Sequence, residues 1–274
     1  MKKIIMTIPF SILIFWWSSF SRVESTVVDY SSTLQGVWQI QEVHINSLQT
    51  YRPDIITNDP TLVGRTIAFT KNDISGDILV SRGCGKPEYT YSNAMKFDEL
   101  IKKTSGSDGS NIDKISAKSY GFSFAGDTVV QPVTVSCSQG ILGPRGHAVD
   151  NWLVETDNNT MITNWDNDSY LTLKKLSNNP QPDPGFTCAS NNNDAERAIC
   201  ASYELSSWDR SVSDAYKTVL KQIINIGDNV ETKVSKLKAA QLSWLHERNR
   251  CASDSQCLKS TMRKRTESLV DQAK

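Results

Sequence analysis

The 274-residue chain carries 30 basic and 30 acidic residues, so its formal net charge is zero, and 38% of it is hydrophobic. That is an ordinary globular composition with room for two modest domains, and it lacks the Lys/Arg excess that a nucleic-acid footprint requires. The one dense basic run, Arg263-Lys264-Arg265, falls near the end of an expected helix, where cations complement the helix dipole.

At the start of the chain, Lys2 and Lys3 precede an apolar run from Ile4 to Trp17, and Ser19-Phe20-Ser21 sets small residues at the minus-three and minus-one positions of a secretory cleavage site. Residues 1–21 therefore read as a signal peptide cleaved after Ser21, with a retained N-terminal anchor as the alternative. The run is shorter than the ~20 residues of a comfortable membrane span, and no cysteine within it or just after it offers a site for a lipid. Export to the periplasm or the medium follows, and in such an oxidising compartment disulfides persist. Six cysteines come after the signal: Cys84, Cys137, Cys188, Cys200, Cys251 and Cys257. Zinc would want histidines or paired Cys-x-x-Cys ligands, whereas His44, His147 and His246 are scattered, so neither a metal nor another cofactor is expected.

From residue 34 to residue 176 the sequence is strand-like. Gly36 to Ile45 and Gly64 to Thr70 are rich in β-branched and aromatic residues, and further strand candidates are Asp77 to Val80, Tyr120 to Phe124, Thr128 to Ser136, Ala148 to Glu155, Thr160 to Trp165 and Tyr170 to Leu176. Asp157-Asn158-Asn159 and Asp166-Asn167-Asp168 supply tight-turn chemistry between the last three. One short helix is expected within Asn93 to Lys103, where Phe97, Leu100 and Ile101 keep helical spacing. The pattern predicts an antiparallel barrel or sandwich. Its opening Leu34-Gln35-Gly36-Val37-Trp38 and closing Ser169 to Leu176 resemble the first and last strands of lipocalin-like small barrels, in which Trp38 would pack the barrel floor.

Residues 177–185, Ser-Asn-Asn-Pro-Gln-Pro-Asp-Pro-Gly, form the clearest boundary, because three prolines remove donors that a helix or central strand would use. Beyond them, residues 186–274 contain no proline and turn helical. Leu205, Trp208, Val212, Ala215, Tyr216, Val219 and Ile223 lay one apolar stripe along a helix from about Glu204 to Asn225. Val230, Val234, Leu237, Gln241, Trp244, Leu245 and Arg248 form a second stripe, and Leu258, Met262, Arg265 and Leu269 a third. Asp228 with Glu231 and Ser253 with Gln256 are candidate capping boxes for the later two, and a short helical turn is expected at Asp194 to Ala201. The fold class predicted is α+β, a β-domain joined to a small helical bundle with antiparallel neighbours.

This last region resembles a known family. Phe186-Thr187-Cys188, Asp194 through Cys200, Glu204-Leu205, Trp208-Asp209-Arg210, Tyr216, Gln241, Trp244-Leu245, Arg248, Cys251, Cys257-Leu258 and Arg265 are similar to the lysozyme inhibitor LprI-like domain. Three positions depart from it: Trp208 stands where an aliphatic residue is expected, Leu242 where a basic one is usual, and Met262 where an aromatic one is. A bundle this small gains from disulfides that restrict its unfolded chain, each contributing roughly 2–4 kcal/mol. Proximity favours Cys188 with Cys200 and Cys251 with Cys257, which leaves Cys84 for Cys137; four cysteines permit three pairings, so spacing leaves the others open.

The resemblance implies an exported bacterial inhibitor whose partner is a lysozyme or another cell-wall hydrolase. No reaction centre is legible: Gly106-Ser107-Asp108-Gly109 has the wrong spacing for a nucleophile elbow, and carboxylate pairs such as Asp98-Glu99 or Asp166 and Asp168 read as solvated residues. Between Arg22 and Gly185 the chain has 14 basic and 19 acidic residues, against 14 and 11 from Phe186 to Lys274, so the β-region is the acidic part and would steer encounter with a basic lysozyme. The glycine-rich segment Ser138 to His147, with Arg145 and His147 at its tip, is a candidate partner-binding loop that could pair with the carboxylates of a glycosidase cleft. Two other functions fit the same features. One is a periplasmic immunity protein against an effector delivered by a rival cell; the other is a lipocalin-like binder of small ligands, which needs an open apolar cavity.

Overall fold

A computed structural model describes residues 31–48, 54–79, 83–105, 112–144, 150–189 and 192–274; the expected signal segment lies outside them. After a single helical turn, α1 (Ser31–Leu34), the chain forms β1 (Gly36–Ile45), β2 (Thr66–Phe69), β3 (Asp73–Gly76) and β4 (Cys84–Tyr91). A short ribbon of β5 (Met95–Lys96) and β6 (Val129–Val130) then brackets α2 (Phe97–Thr104), before β7 (Val133–Gly140), β8 (Asn151–Asp157), β9 (Thr160–Trp165) and β10 (Ser169–Lys175). Eight of these strands close into a barrel in the order β1-β2-β3-β4-β7-β8-β9-β10, each antiparallel to its neighbours, with β10 pairing back onto β1. It is an up-and-down meander with one excursion, residues 92–132, between β4 and β7.

Several strands differ from expectation for identifiable reasons. Asp77–Leu79 is a 3₁₀ turn, and the strand falls earlier, at β3, because the Thr70 hydroxyl and amide gather Asn72 and Asp73 into a turn that sets the register Ile67 opposite Gly76. Strand β4 escaped the pattern because Lys86 takes a left-handed φ of 47° and Pro87 lacks an N–H. The expected strand at Thr128 to Ser136 is interrupted at Gln131-Pro132 and becomes β6 and β7. Around Tyr120 to Phe124 there is instead a 3₁₀ turn, Ala117–Tyr120, opened by a reciprocal Ser116–Ser119 cap and closed by Gly121 at a φ of 72°. The aromatic residues of this segment, expected in a strand, serve another purpose.

That purpose is to cover the barrel wall. Inside, Trp38, Ile40, Val43, Ile67, Phe69, Ile74, Val133, Leu153, Met161, Leu171 and Leu173 fill the barrel, with Leu34 of α1 among them and its carbonyl accepting the Trp38 indole N–H at 2.8 Å. Outside, Phe97, Leu100 and Ile101 of α2 pack with Ile115 and Tyr120 against Trp152, Val154, Ile162 and Tyr170, the outward residues of β8, β9 and β10. Those three strands are therefore buried on both faces, which is why they read as nearly continuous apolar runs. The packed interior, with Trp38 1% and Phe69 3% exposed, occupies the space that a small-ligand carrier would need.

His44 sits beneath this covering layer. Its ring stacks on Phe122 at 3.9 Å, its Nε2 lies 2.9 Å from the Thr172 hydroxyl, and only 5% of the residue is exposed. Burial lowers its pKa from the usual 6.5, against the raising effect of Glu42, so in the window below about 6.5 the unfolded chain binds more protons than the folded one. This stability contribution is complete above that window and lost as pH falls through it, with a slope of at most about 1.4 kcal/mol per pH unit. Urea midpoints measured at pH 7.5 and 5.5 are expected to fall with acid in the wild type and to move less in His44→Gln; equal shifts in the two proteins would remove His44 as the cause.

Beyond Lys175 the described residues 176–189 and 192–193 carry no helix or strand, and α3 (Asp194–Ala201), α4 (Tyr203–Ile226), α5 (Val230–Asn249) and α6 (Ser255–Ala273) follow. Apolar side chains at three- and four-residue steps on α4 and α6 make these two the main pair, through Leu205, Val212, Val219, Leu258, Met262 and Leu269. Two caps differ from expectation. Asn229, in a left-handed conformation, precedes α5 in place of Asp228, and Asp254, accepting from the amides of Gln256 and Cys257, caps α6 in place of Ser253.

Candidate partner-binding surface of the helical region

Three disulfides frame the molecule. Cys84–Cys137 joins β4 to β7, Cys188–Cys200 fastens the incoming chain to α3, and Cys251–Cys257 closes the turn between α5 and α6. The candidate loop residues Arg145 and His147 lie outside the described residues.

Within the helices, three of the polar residues singled out in the sequence, Glu196, Asp209 and Arg248, converge. Arg248 on α5 is 3% exposed, and its guanidinium reaches Asp209 on α4 at 3.0 Å and Glu196 on α3 at 3.4 Å. The other Asp209 oxygen accepts the Gly185 N–H at 2.9 Å, so one carboxylate ties the incoming chain, α4 and α5 together. Burial pushes the Asp209 carboxyl above its ordinary range, with the Gly185 N–H and the Arg248 charge acting in opposition. Glu196 has a second task, completing a capping box with Asn193 at the start of α3. Two turns earlier on the same face of α5, the Gln241 side-chain oxygen accepts two bonds from Arg265 of α6, at 3.0 and 2.9 Å. A glycine is required at 185, because a Cβ there would lie 2.7 Å from Cβ of Ser213.

Phe186, Asp209, Tyr216, Gln241, Trp244, Leu245 and Arg248 line one open groove of about 160 Å³ between α4 and α5. Its size suits a single inserted side chain. The walls are apolar and aromatic, with Phe186 and Trp244 5.8 and 5.7 Å from the Arg248 guanidinium. Trp244 Nε1 is buried and has no hydrogen-bond partner among the described residues. Beside the groove on α5, Leu242 is 59% exposed.

The opposite side of α4 faces the barrel. Ser207 and Ser211, each two positions and so about 200° around the helix from a groove residue, receive the Arg65 guanidinium at 3.0 Å each. Arg65 is 2% exposed, and its charged group lies 3.5 Å above the Trp208 ring. Burial lowers its pKa to about 10, opposed by the charges of Asp77, Glu204 and Tyr203, so it stays a cation at neutral pH. Gly64 permits the approach: its φ is +85°, and a Cβ there would collide with the Ser207 hydroxyl, which donates to the Gly64 carbonyl at 2.8 Å. Lys259 of α6 adds a second tie, bonding Asp77 of the barrel region at 2.9 Å and Glu204 of α4.

Trp208, the residue at odds with the family pattern, is thus the platform on which a barrel arginine rests. Met262 fills the bundle core with no exposure. The latch residues Arg65, Ser207 and Ser211 carry no signal in the sequence, because an arginine and two serines separated by more than 140 positions form no motif.

Among the described residues there is no group of three or more His, Cys, Asp or Glu placed to hold a metal ion, and no helix is long and apolar enough to cross a membrane. Residues 188–269 match the family model described as Lysozyme inhibitor LprI. Comparison with curated proteins and with solved structures gives no match.

Proposed function

We propose that this chain is exported from a bacterial cell and binds a peptidoglycan-cleaving lysozyme, blocking its cleft by occupation and performing no reaction of its own. The observation that carries this reading is the match of residues 188–269 to an inhibitor family, and several of the residues that carry the sequence resemblance line one groove of the helical region. The basic and apolar start of the chain, followed by six paired cysteines, supports export. The α4–α5 groove and the flanking Leu242 are the contact surface we favour, because the other side of α4 is occupied by the barrel. The acidic β-region raises the rate of encounter with a basic enzyme more than the final affinity.

Purified oxidised protein, titrated into turbidity assays of C-type, G-type and I-type lysozymes on bacterial cell walls, is expected to abolish the activity of at least one class near equimolar ratio. Full activity of all three at micromolar protein would overturn the proposal and direct attention to an effector delivered by a rival cell.

A further inference from the structure

Two clefts flank the place where the barrel meets α4, of about 750 and 620 Å³. Both fall within the roughly 300–1,000 Å³ typical of small-molecule sites. Tyr203 and Ser207 line both, as does Gly64, so the clefts lie on either side of the same bridge. The larger is walled by barrel residues, by the chain leaving β10 and by the start of α4.

Its chemistry is selective. Each ionised side chain in the two linings already has a partner inside the protein. Asp77 and Glu204 share Lys259, Lys175 donates to the Thr33 carbonyl at 2.8 Å, and Arg65 is held by two serines and Trp208. Asp183 pairs with Arg210 at 2.6 Å, and Asp214 with Lys217 at 3.1 Å. Arg65 and Lys175 against Asp77 and Glu204 leave the lining of the larger cleft without net charge. The larger cleft offers neutral groups instead: exposed side chains of Gln35, Ser177 and Asn178, with the hydroxyls of Thr66 and Tyr203. Between them lie apolar surfaces of Val37, which is 42% exposed, Leu176 and Pro180.

Hydroxyl and amide groups interleaved with small apolar patches, in a lining without net charge, match an uncharged oligosaccharide bearing acetamido groups. We propose that the larger cleft binds a short N-acetylated glycan through Gln35, Ser177, Asn178 and Tyr203, with Val37, Leu176 and Pro180 against its methyl groups and ring faces. This goes beyond lysozyme binding and is independent of it, since the cleft and the α4–α5 groove lie on different sides of α4.

The test is calorimetric titration of the oxidised full chain with chitotriose, in the absence of any enzyme, with trigalacturonate as the charged comparator. Chitotriose is expected to bind saturably and trigalacturonate at least about tenfold more weakly. Ser177→Trp, which sets a large ring in an exposed position of the cleft wall, is expected to weaken chitotriose binding by about tenfold or more while the unfolding midpoint is unchanged. The pair Gln35→Ala and Asn178→Ala, both at exposed positions, provides the same reading if the tryptophan disturbs folding. No saturable binding of chitotriose, equal or tighter binding of trigalacturonate, or variants that bind chitotriose as the wild type does would overturn the proposal. Lysozyme inhibition is measured separately, so either result can fail without the other.

Discussion

Asp209→Ala is expected to lower the unfolding free energy by about 3–5 kcal/mol, because it leaves the Arg248 guanidinium buried without its nearest counter-charge. Arg248 is 3% exposed and Asp209 6%, so water cannot replace the lost partner without opening the interface of α3, α4 and α5. Glu196, the remaining carboxylate, is farther from the guanidinium and more exposed. Replacing both members, as Asp209→Leu with Arg248→Met, is expected to cost less than the single change, since no uncompensated charge remains. Chemical denaturation of the oxidised proteins measures both. A loss below about 1 kcal/mol for Asp209→Ala would place the pair in the solvent-screened class and remove it as the tie among the helices.

The second large effect concerns the seam. Arg65→Ala is expected to destabilise the protein by about 3 kcal/mol through loss of two charge-assisted hydrogen bonds and a desolvated cation–π contact. Arg65→Met keeps an apolar stem over Trp208 and is expected to lose about half as much. Trp208→Leu, which restores the aliphatic residue that the family resemblance leads one to expect, is expected to couple with Arg65→Ala by about 1–2 kcal/mol in a double-mutant cycle. Hydrogen exchange then distinguishes a seam effect from a general one. Amides of α4 near Ser207 and of the barrel near Gly64 are expected to lose protection together, while those of β9 and β10 keep theirs. Uniform loss of protection, or full additivity of the two substitutions, would exclude a specific latch.

What was legible in the sequence followed the range of the interactions. The helices were readable because their apolar stripes repeat locally; α4 and α3 fall within a residue or so of expectation. Strands β9 and β10 were readable because Asp157-Asn158-Asn159 and Asp166-Asn167-Asp168 make the turns, the last two residues of the second taking left-handed φ values of 55° and 53°. Strand β4 and the segment at Tyr120 depended on partners remote in sequence: a left-handed Lys86 and a proline tolerated within a barrel, and aromatics drawn to an outer wall. In the candidate site, the residues of the family pattern were visible, but the ion pairing of Asp209 with Arg248 was not, since 39 positions separate them. The seam with Arg65 lay beyond any local rule for the same reason.

Contact between the helical groove and a lysozyme is tested most directly by chromatography with light scattering of an equimolar mixture. The oxidised wild type is expected to co-elute with an inhibited lysozyme at the mass of a one-to-one complex. A Leu242→Lys variant, altered at an exposed position beside the groove, is expected to elute apart from the enzyme while keeping the wild-type unfolding midpoint. A folded variant that still forms the complex at wild-type stoichiometry would contradict the assignment of this surface, and a wild type that never binds would contradict the inhibitor reading itself.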